Sequence, residues 1–239
     1  MRPAQRPPAM TAAIIVGFRD RGTDPLRRAN LDYVLDYWKP YGLPIHVVDD
    51  GRQGNEQFNR HAAYNKGAAQ TDADILCFVE SDMIIPFARM DTAIDWATQQ
   101  PGLVVPFEER HEFGPRESEA IREGRLDYRT ARADIIKPKP RRTGAINVIS
   151  RHTFDLVGRY DEAFEGSHWD DRSMHIAFDR CAGPTRWLDG PSWHLYHLPG
   201  HTGSHLTKDD RAATEQNRRR FIRYQRAKTA EQIRELTLG

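Results

Sequence analysis

Three groups of polar residues in this chain have the types and spacing to do chemistry. Glu80-Ser81-Asp82 closes the apolar run Ile75-Leu76-Cys77-Phe78-Val79 and leads into Met83-Ile84-Ile85-Pro86. A continuous apolar run between polar residues reads as a buried strand. Its two carboxylates would then emerge at the strand's C-terminal end, the edge where open α/β sheets bind ligands. Carboxylates there can hold a hard divalent cation against phosphates, although acidic residues are also ordinary at element ends. Trp169-Asp170-Asp171 offers a general base beside an aromatic platform, or simply the acidic first turn of a helix. His194, His197 and His201 stand among Trp193 and Tyr196 and can supply an imidazole metal ligand. One ligand among the three is expected.

Other residues are placed to meet a nucleotide. Asp49-Asp50-Gly51 follows a short apolar run, which puts carboxylates where a base or ribose lies in a doubly wound sheet; a plain Asp-Gly turn has the same form. Arg19 and Arg21 follow the first apolar run, and guanidinium forks match diphosphate oxygens. Phe58-Asn59-Arg60 places Arg60 on the opening turn of a helix at the same edge, facing either phosphate or a protein carboxylate.

The elements that would carry these groups alternate. Ala12–Phe18 reads as a strand, Leu26–Trp38 as a helix ended by Pro40 and Gly42, Pro44–Val48 as a strand, Gln57–Gln70 as a helix and Ile75–Val79 as a strand. Strand, helix, strand, helix, strand is the signature of a parallel sheet with right-handed crossovers. A helix over Met90–Gln99 and a strand at Leu103–Pro106 follow. The segment Glu108–Arg142 is highly charged and ends in Lys137-Pro138-Lys139-Pro140-Arg141-Arg142; it reads as a mobile loop or lid, with at most a short helix over Glu117–Glu123. Order returns with a strand at Gly144–Ser150, a helix at His152–Val157, a helix running from Asp170 through Phe178, and a strand at Thr185–Leu188. A charged helical tail begins near Asp209.

Composition narrows the function classes. With 35 basic and 34 acidic residues in 239, the net charge is only +1, which argues for neither nucleic acid nor a membrane surface as partner. No transmembrane segment and no signal-peptide pattern is expected, since no apolar stretch has the required length. The two cysteines, Cys77 and Cys181, make no disulfide framework, so a reducing cytoplasmic location is expected. The zinc-protease helix motif, paired C-x-x-C, the P-loop and G-x-G-x-x-G are all missing.

Taken in order, these residues resemble a GT-A glycosyltransferase. Ile14–Arg21, Phe58-Asn59-Arg60 and Cys77–Asp82 are similar to the pattern of animal β-1,4-galactosyltransferases. Val47–Gly51 resembles the second-strand signature of the family 2 glycosyltransferases. Gly144–Arg151, Phe154, Gly158, Tyr160-Asp161-Glu162, Phe164 and Gly166–Asp171 resemble the C-terminal half shared with the galactosyltransferase and polypeptide N-acetylgalactosaminyltransferase groups. The likeness covers about residues 12 to 201, and the order of the motifs is more specific than any one of them.

The resemblance implies an α/β, Rossmann-like GT-A domain with a mostly parallel sheet flanked by helices. It would follow a flexible arm at 1–11 and occupy 12–207: a nucleotide-sugar half at 12–106, a mobile loop at 108–142 and an acceptor half at 143–207. A C-terminal helical tail would close the chain at 208–239. The implied activity is metal-dependent, inverting transfer of a hexose from a UDP-sugar to an acceptor hydroxyl on a glycan, a lipid-linked sugar or a protein. Asp82 would bind Mn²⁺ or Mg²⁺ with His197, or His194 close behind. Phe18, Arg19, Arg21, Asp49, Asp50, Phe58, Arg60, Glu80 and Ser81 would bind the nucleotide sugar. Asp171 would be the base, with Asp170 its neighbour or substitute, and Trp169, Asp170 and Gly144 would meet the acceptor. Two departures stand out: Glu80 replaces the usual first aspartate, and Ser167-His168-Trp169 stands where Trp-Gly-x is expected. The rival readings are a nucleotidyltransferase of the same fold class and a catalytically silent sugar-nucleotide or glycan-binding module.

Overall fold

The computed structural model of the chain describes residues 10–138 and 144–239. In chain order the elements are β1 (Ala12–Gly17), α1 (Pro25–Trp38), β2 (Ile45–Val48), α2 (Arg60–Ala69), β3 (Ile75–Val79), β4 (Met83–Ile84), α3 (Phe87–Gln99), β5 (Val104–Val105), β6 (Glu109–Glu112), α4 (Pro115–Arg122), β7 (Ile135–Pro138), β8 (Ile146–Ser150), α5 (Arg151–Val157), α6 (Asp170–Ala182), β9 (Arg186–Trp187), β10 (Pro191–His194), α7 (Lys208–Arg226) and α8 (Ala230–Thr237). No described helix is long and apolar enough to cross a membrane.

The central sheet has the order β2-β1-β3-β8-β5-β9. β1 pairs in parallel with β2 and β3, β5 pairs in parallel with β9, and β8 runs against both β3 and β5. The sheet is therefore mostly parallel. All five residues of β3 are buried, as a central strand covered on both faces requires. Parallel β1, β2 and β3 deliver Phe18-Arg19, Asp49-Asp50 and Glu80-Ser81-Asp82 to one edge. α2 lies against β1 and β2 at Gly67, where an added Cβ would stand 2.5 Å from Ile15 Cγ2; glycine is what lets the helix come so close.

A second sheet, β4-β10-β6-β7, supplies the other wall. The charged segment expected as a mobile loop contributes two of its strands, β6 and β7, and the helix α4. Ion pairs within the segment support this order: Glu112 Oε1 is met by Arg110 along β6 and by Lys137 across the β6–β7 ladder. α4 buries Ser118 and Ile121. The basic stretch Lys139–Arg142 lies outside the described residues.

The C-terminal residues are two helices rather than one, and they pack into the body. Tyr224 and Ile233 are fully buried, and α7 and α8 both lie against α6. The anchor is Asp161. Its buried carboxylate accepts from Arg220 Nη2 at 2.8 Å and Tyr224 Oη at 2.7 Å, while Arg220 Nη2 also donates to the Leu236 carbonyl at 2.6 Å. The whole is a single α/β domain.

Candidate active site

Asp82 follows β3 and is almost fully buried, at 4% exposure. The β4–β10 pairing brings the histidines to it: His194 pairs with Met83, and Leu195 N donates to the Asp82 carbonyl at 2.9 Å. α1 fixes the chain beyond β10. Its cap Asp24 serves Leu26 N at 3.0 Å through one oxygen and Leu198 N at 2.7 Å through the other. Asn30 Nδ2 donates to the Tyr196 carbonyl at 3.0 Å and Arg27 to that of Leu198 at 3.2 Å. His197 Nε2 thereby comes to 3.0 Å from Asp82 Oδ2 and His194 Nε2 to 3.8 Å from Oδ1.

Among the described residues Asp82, His194 and His197 form the one group with metal-ligand geometry. The donors fit a cation on three counts. Asp82 Oδ1 is buried with no hydrogen-bond partner, and an ionised oxygen is seldom left so. His197 Nδ1 stands 2.8 Å from the Leu198 carbonyl; a carbonyl only accepts, so Nδ1 carries a proton and Nε2 is the nitrogen turned toward Asp82. Burial pushes His194 down to about 3 against the opposing pull of Asp82, which keeps its ring neutral. Burial pushes Asp82 up, and positive charge facing it at His194 and His197, a proton or a cation, draws its carboxyl below the usual range. Two imidazoles and one carboxylate suit Mn²⁺ and its transition-metal neighbours better than Mg²⁺, which prefers oxygen ligands. His201 lies elsewhere, its ring stacked on His168 with centroids 4.4 Å apart.

Glu80 does not join this trio. Its carboxylate pairs with Arg60 Nη1, while Arg60 Nη2 reaches Asp170 Oδ2 at 2.5 Å and Asp171 Oδ1 at 2.6 Å. Arg60 opens α2 directly after its cap Asn59, whose side chain accepts from Ala62 N and whose own N–H donates to Asp50 Oδ2 at 2.8 Å. Asp170 and Asp171 open α6 after two consecutive non-glycine residues with left-handed backbone, His168 at φ 80° and Trp169 at φ 72°. Each such residue costs about 1–3 kcal/mol, and strain of this kind clusters at functional sites. The two neighbouring carboxylates are driven apart in acidity. Against the burial that raises it, Asp170 is held below the usual range by Arg60 and His61. Burial raises Asp171 to about 7, helped by Asp170 and opposed by Arg60. The Asp171 side chain is 36% exposed against 6% for Asp170, so Asp171 is the one a substrate can reach.

The remaining expected residues line the same edge in varied states. Asp50 is enclosed: Arg19 Nε donates to it at 2.7 Å, and the same guanidinium donates to the Gly54 and Glu56 carbonyls at 2.7 and 2.8 Å. Arg19 thus ties down the loop after β2. Arg21 donates to the Asn55 carbonyl at 2.9 Å and reaches Asp210 at 3.4 Å. Asp49 is exposed and pairs with Lys66 at 2.8 Å. The Phe18 ring carries the Arg28 guanidinium 5.4 Å from its centroid. Phe58 is half-buried, and its carbonyl accepts from Gly166 N at 2.9 Å. Ser81 is buried. Trp169 stacks on Phe221 of α7 with centroids 5.0 Å apart. Gly144 abuts Asp171: a Cβ there would stand 2.4 Å from its carboxyl carbon.

Sequence reasoning passed over Asp24, Arg27 and Asn30, which hold the histidine segment, and Arg110, whose charge acts on both Asp171 and His194. Asp24-Pro25 carried a readable signal as a cap followed by proline at the first helical position. Arg110 carried none, lying in a run of charges.

No family model matches the sequence, and neither does any curated protein. Solved structures do. The glucosyl-3-phosphoglycerate synthase of Mycobacterium tuberculosis, in complex with Mn²⁺, UDP-glucose and phosphoglyceric acid, is matched at 13% identity and TM-score 0.50, over 91% of this chain and 79% of that one. The catalytic domain of Drosophila β-1,4-galactosyltransferase 7 with xylobiose is matched at 15% identity and TM-score 0.48, over 87% and 79%. A mutant of that enzyme with manganese, UDP-Gal and xylobiose is matched at 15% identity and TM-score 0.43 over 74% of this chain, which spans 64% of the other's length. The chain has the GT-A glycosyltransferase fold.

Proposed function

We propose that this protein is a metal-dependent glycosyltransferase that moves a hexose from a UDP-sugar to an acceptor hydroxyl with inversion at the anomeric carbon. One observation supports it above the others: two separate acidic centres share one edge of a GT-A fold. The first is Asp82 with His194 and His197; the second is Asp170 with Asp171, joined to the end of β3 through Arg60 and Glu80.

In this reading Asp82, His194 and His197 would hold a divalent cation, and its charge would offset that developing on the diphosphate leaving group. Arg19 and Asp50 shape the loop beside the nucleoside, with Phe18, Asp49 and Phe58 along its rim. Asp171 stands on the acceptor side. It takes the acceptor hydroxyl proton as that oxygen attacks the anomeric carbon, and the bond to the UDP oxygen breaks with its electron pair leaving on UDP. A carboxylate near 7 suits the task, because the proton it must carry is weakly acidic. Asp170, held ionised by Arg60, keeps a fixed negative charge beside the base.

The test is a donor screen by thermal shift with and without Mn²⁺, followed by UDP-release assays. A donor at a hundred times its Kd adds about 2.7 kcal/mol, which raises Tm by roughly 5–10 °C in a chain of this size. Asp82→Asn should abolish the Mn²⁺-dependent part of that shift. Binding without hydrolysis or transfer from any UDP- or GDP-sugar would favour the binding-module reading, and a Mn²⁺-dependent shift surviving in Asp82→Asn would remove the metal assignment.

A further inference from the structure

We propose that Arg60 is a positioning residue: it clamps Glu80, Asp170 and Asp171 into one ionic knot that fixes the base, and it does not bind the donor diphosphate. The inference deepens the reading of Asp171 as base and rests on it.

The first argument is occupancy: both terminal nitrogens already face carboxylates, and Nε, which has no hydrogen-bond partner, is buried. Nη2 has two N–H groups, and two carboxylates take them, Asp170 Oδ2 at 2.5 Å and Asp171 Oδ1 at 2.6 Å. Nη1 holds Glu80. The side chain is only 16% exposed, so few directions remain from which a phosphate oxygen could approach. The second argument is charge. Three carboxylates surround one guanidinium, leaving two negative charges uncompensated when Asp171 is ionised. A diphosphate arriving there would meet net repulsion, whereas the cation site at Asp82 would attract it.

The third argument is what the knot connects. Glu80 directly follows β3, Arg60 opens α2, and Asp170 and Asp171 open α6. Two aspartates side by side at a helix start repel one another, and a single nitrogen bridging both relieves that repulsion while fixing their orientation. The opening turn of α2 is itself tied to Asp50 through Asn59 N, and Asp50 is tied to Arg19. A chain of contacts therefore runs from the loop after β2 to the base. Glu80 finds its role in this chain: its extra methylene carries it to Arg60 while the shorter Asp82 stays with the histidines.

Arg60→Gln and Arg60→Lys test the proposal in the full chain, the lysine variant keeping the charge should the glutamine variant fold poorly. UDP affinity with Mn²⁺, by titration calorimetry, should stay within about twofold of wild type, as expected when ground-state binding is untouched. UDP release with acceptor should fall by about a hundredfold in Arg60→Gln, the loss expected when a reacting group is misplaced by about 1 Å, with partial rescue in Arg60→Lys. Added to Asp171→Asn, Arg60→Gln should cost little more, because both act through one carboxylate. A tenfold or greater loss of UDP affinity in both variants would overturn the proposal. Should wild type neither bind UDP nor turn over, the transferase reading fails on its own. The Asp171 carboxyl, followed by carbon-13 NMR, then decides: a titration midpoint moved upward in Arg60→Gln upholds the clamp, and an unmoved midpoint sinks it.

Discussion

Gly144→Ala perturbs Asp171, the proposed base, without replacing any charged or hydrogen-bonding side chain. An alanine Cβ would lie 2.4 Å from the Asp171 carboxyl carbon and 2.4 Å from its Oδ2. Ordinary contact begins near 3.4 Å, so the carboxyl must retreat by about 1 Å. Gly144 also sits at φ +122°, a conformation open essentially to glycine, and holding alanine there costs about 1–3 kcal/mol. That strain should lower Tm by roughly 2–4 °C per kcal/mol for a chain of this length. The catalytic loss comes on top of the stability loss, since a 1 Å misplacement of a reacting group costs about a hundredfold, or about 2.7 kcal/mol of barrier. Turnover is read by UDP release with acceptor, and donor binding by calorimetry with Mn²⁺. The expected pattern is a hundredfold lower kcat with unchanged UDP affinity. Full turnover in a folded Gly144→Ala protein would refute Asp171 as the base in this position.

The pH dependence of kcat/KM should show an acid limb near 7, rising with pH as Asp171 ionises, since burial and Asp170 raise it and Arg60 only partly offsets them. Arg110, Tyr64 and Tyr160 also face Asp171 electrostatically and stay in place in Asp171→Asn, whose residual activity should lack that limb. Stability carries the matching sign. The folded value lies above the unfolded 3.8, so this group's contribution is full below 3.8 and is lost as pH rises through about 7. Wild-type minus Asp171→Asn unfolding free energies should decline across that window; a flat difference would contradict the shift. Tyr224→Phe removes a buried hydroxyl that donates to Asp161 at 2.7 Å. A hydrogen bond to a charged group contributes about 1.5–3 kcal/mol, and urea unfolding should show a loss of that order with donor binding retained. An unchanged midpoint would mean that the C-terminal helices are not anchored there.

Much of the architecture was legible because it rests on local signals. The apolar runs at Ala12–Phe18 and Ile75–Val79 mark strands, and Pro40 and Gly42 mark the end of the first helix, where Gly42 has a left-handed backbone at φ 85°. The segment after Glu108 was not legible, because its strands carry few apolar residues. Arg110, Glu112 and Lys137 compensate one another across a ladder, and such pairing does not follow from residue order. The closing helices read only as a charged helical tail, since the buried Tyr224 and Ile233 are few among many arginines.

The sequence alone determined which residues could do chemistry: a carboxylate at the end of a buried strand, an aspartate pair at a helix start and histidines near the C-terminal side. Only the tertiary structure decided how they are shared out. Two histidines rather than one stand at Asp82, because β4–β10 pairing and the Asp24, Arg27 and Asn30 contacts fix both. Glu80 and Asp82, one residue apart, go to different partners, Arg60 and the histidines. Arg60, as apt for phosphate as for carboxylate when read in sequence, is surrounded by three carboxylates, one just after β3 and two at the start of α6. Charge partners are chosen by distance in space, and a chain read in order does not contain that distance.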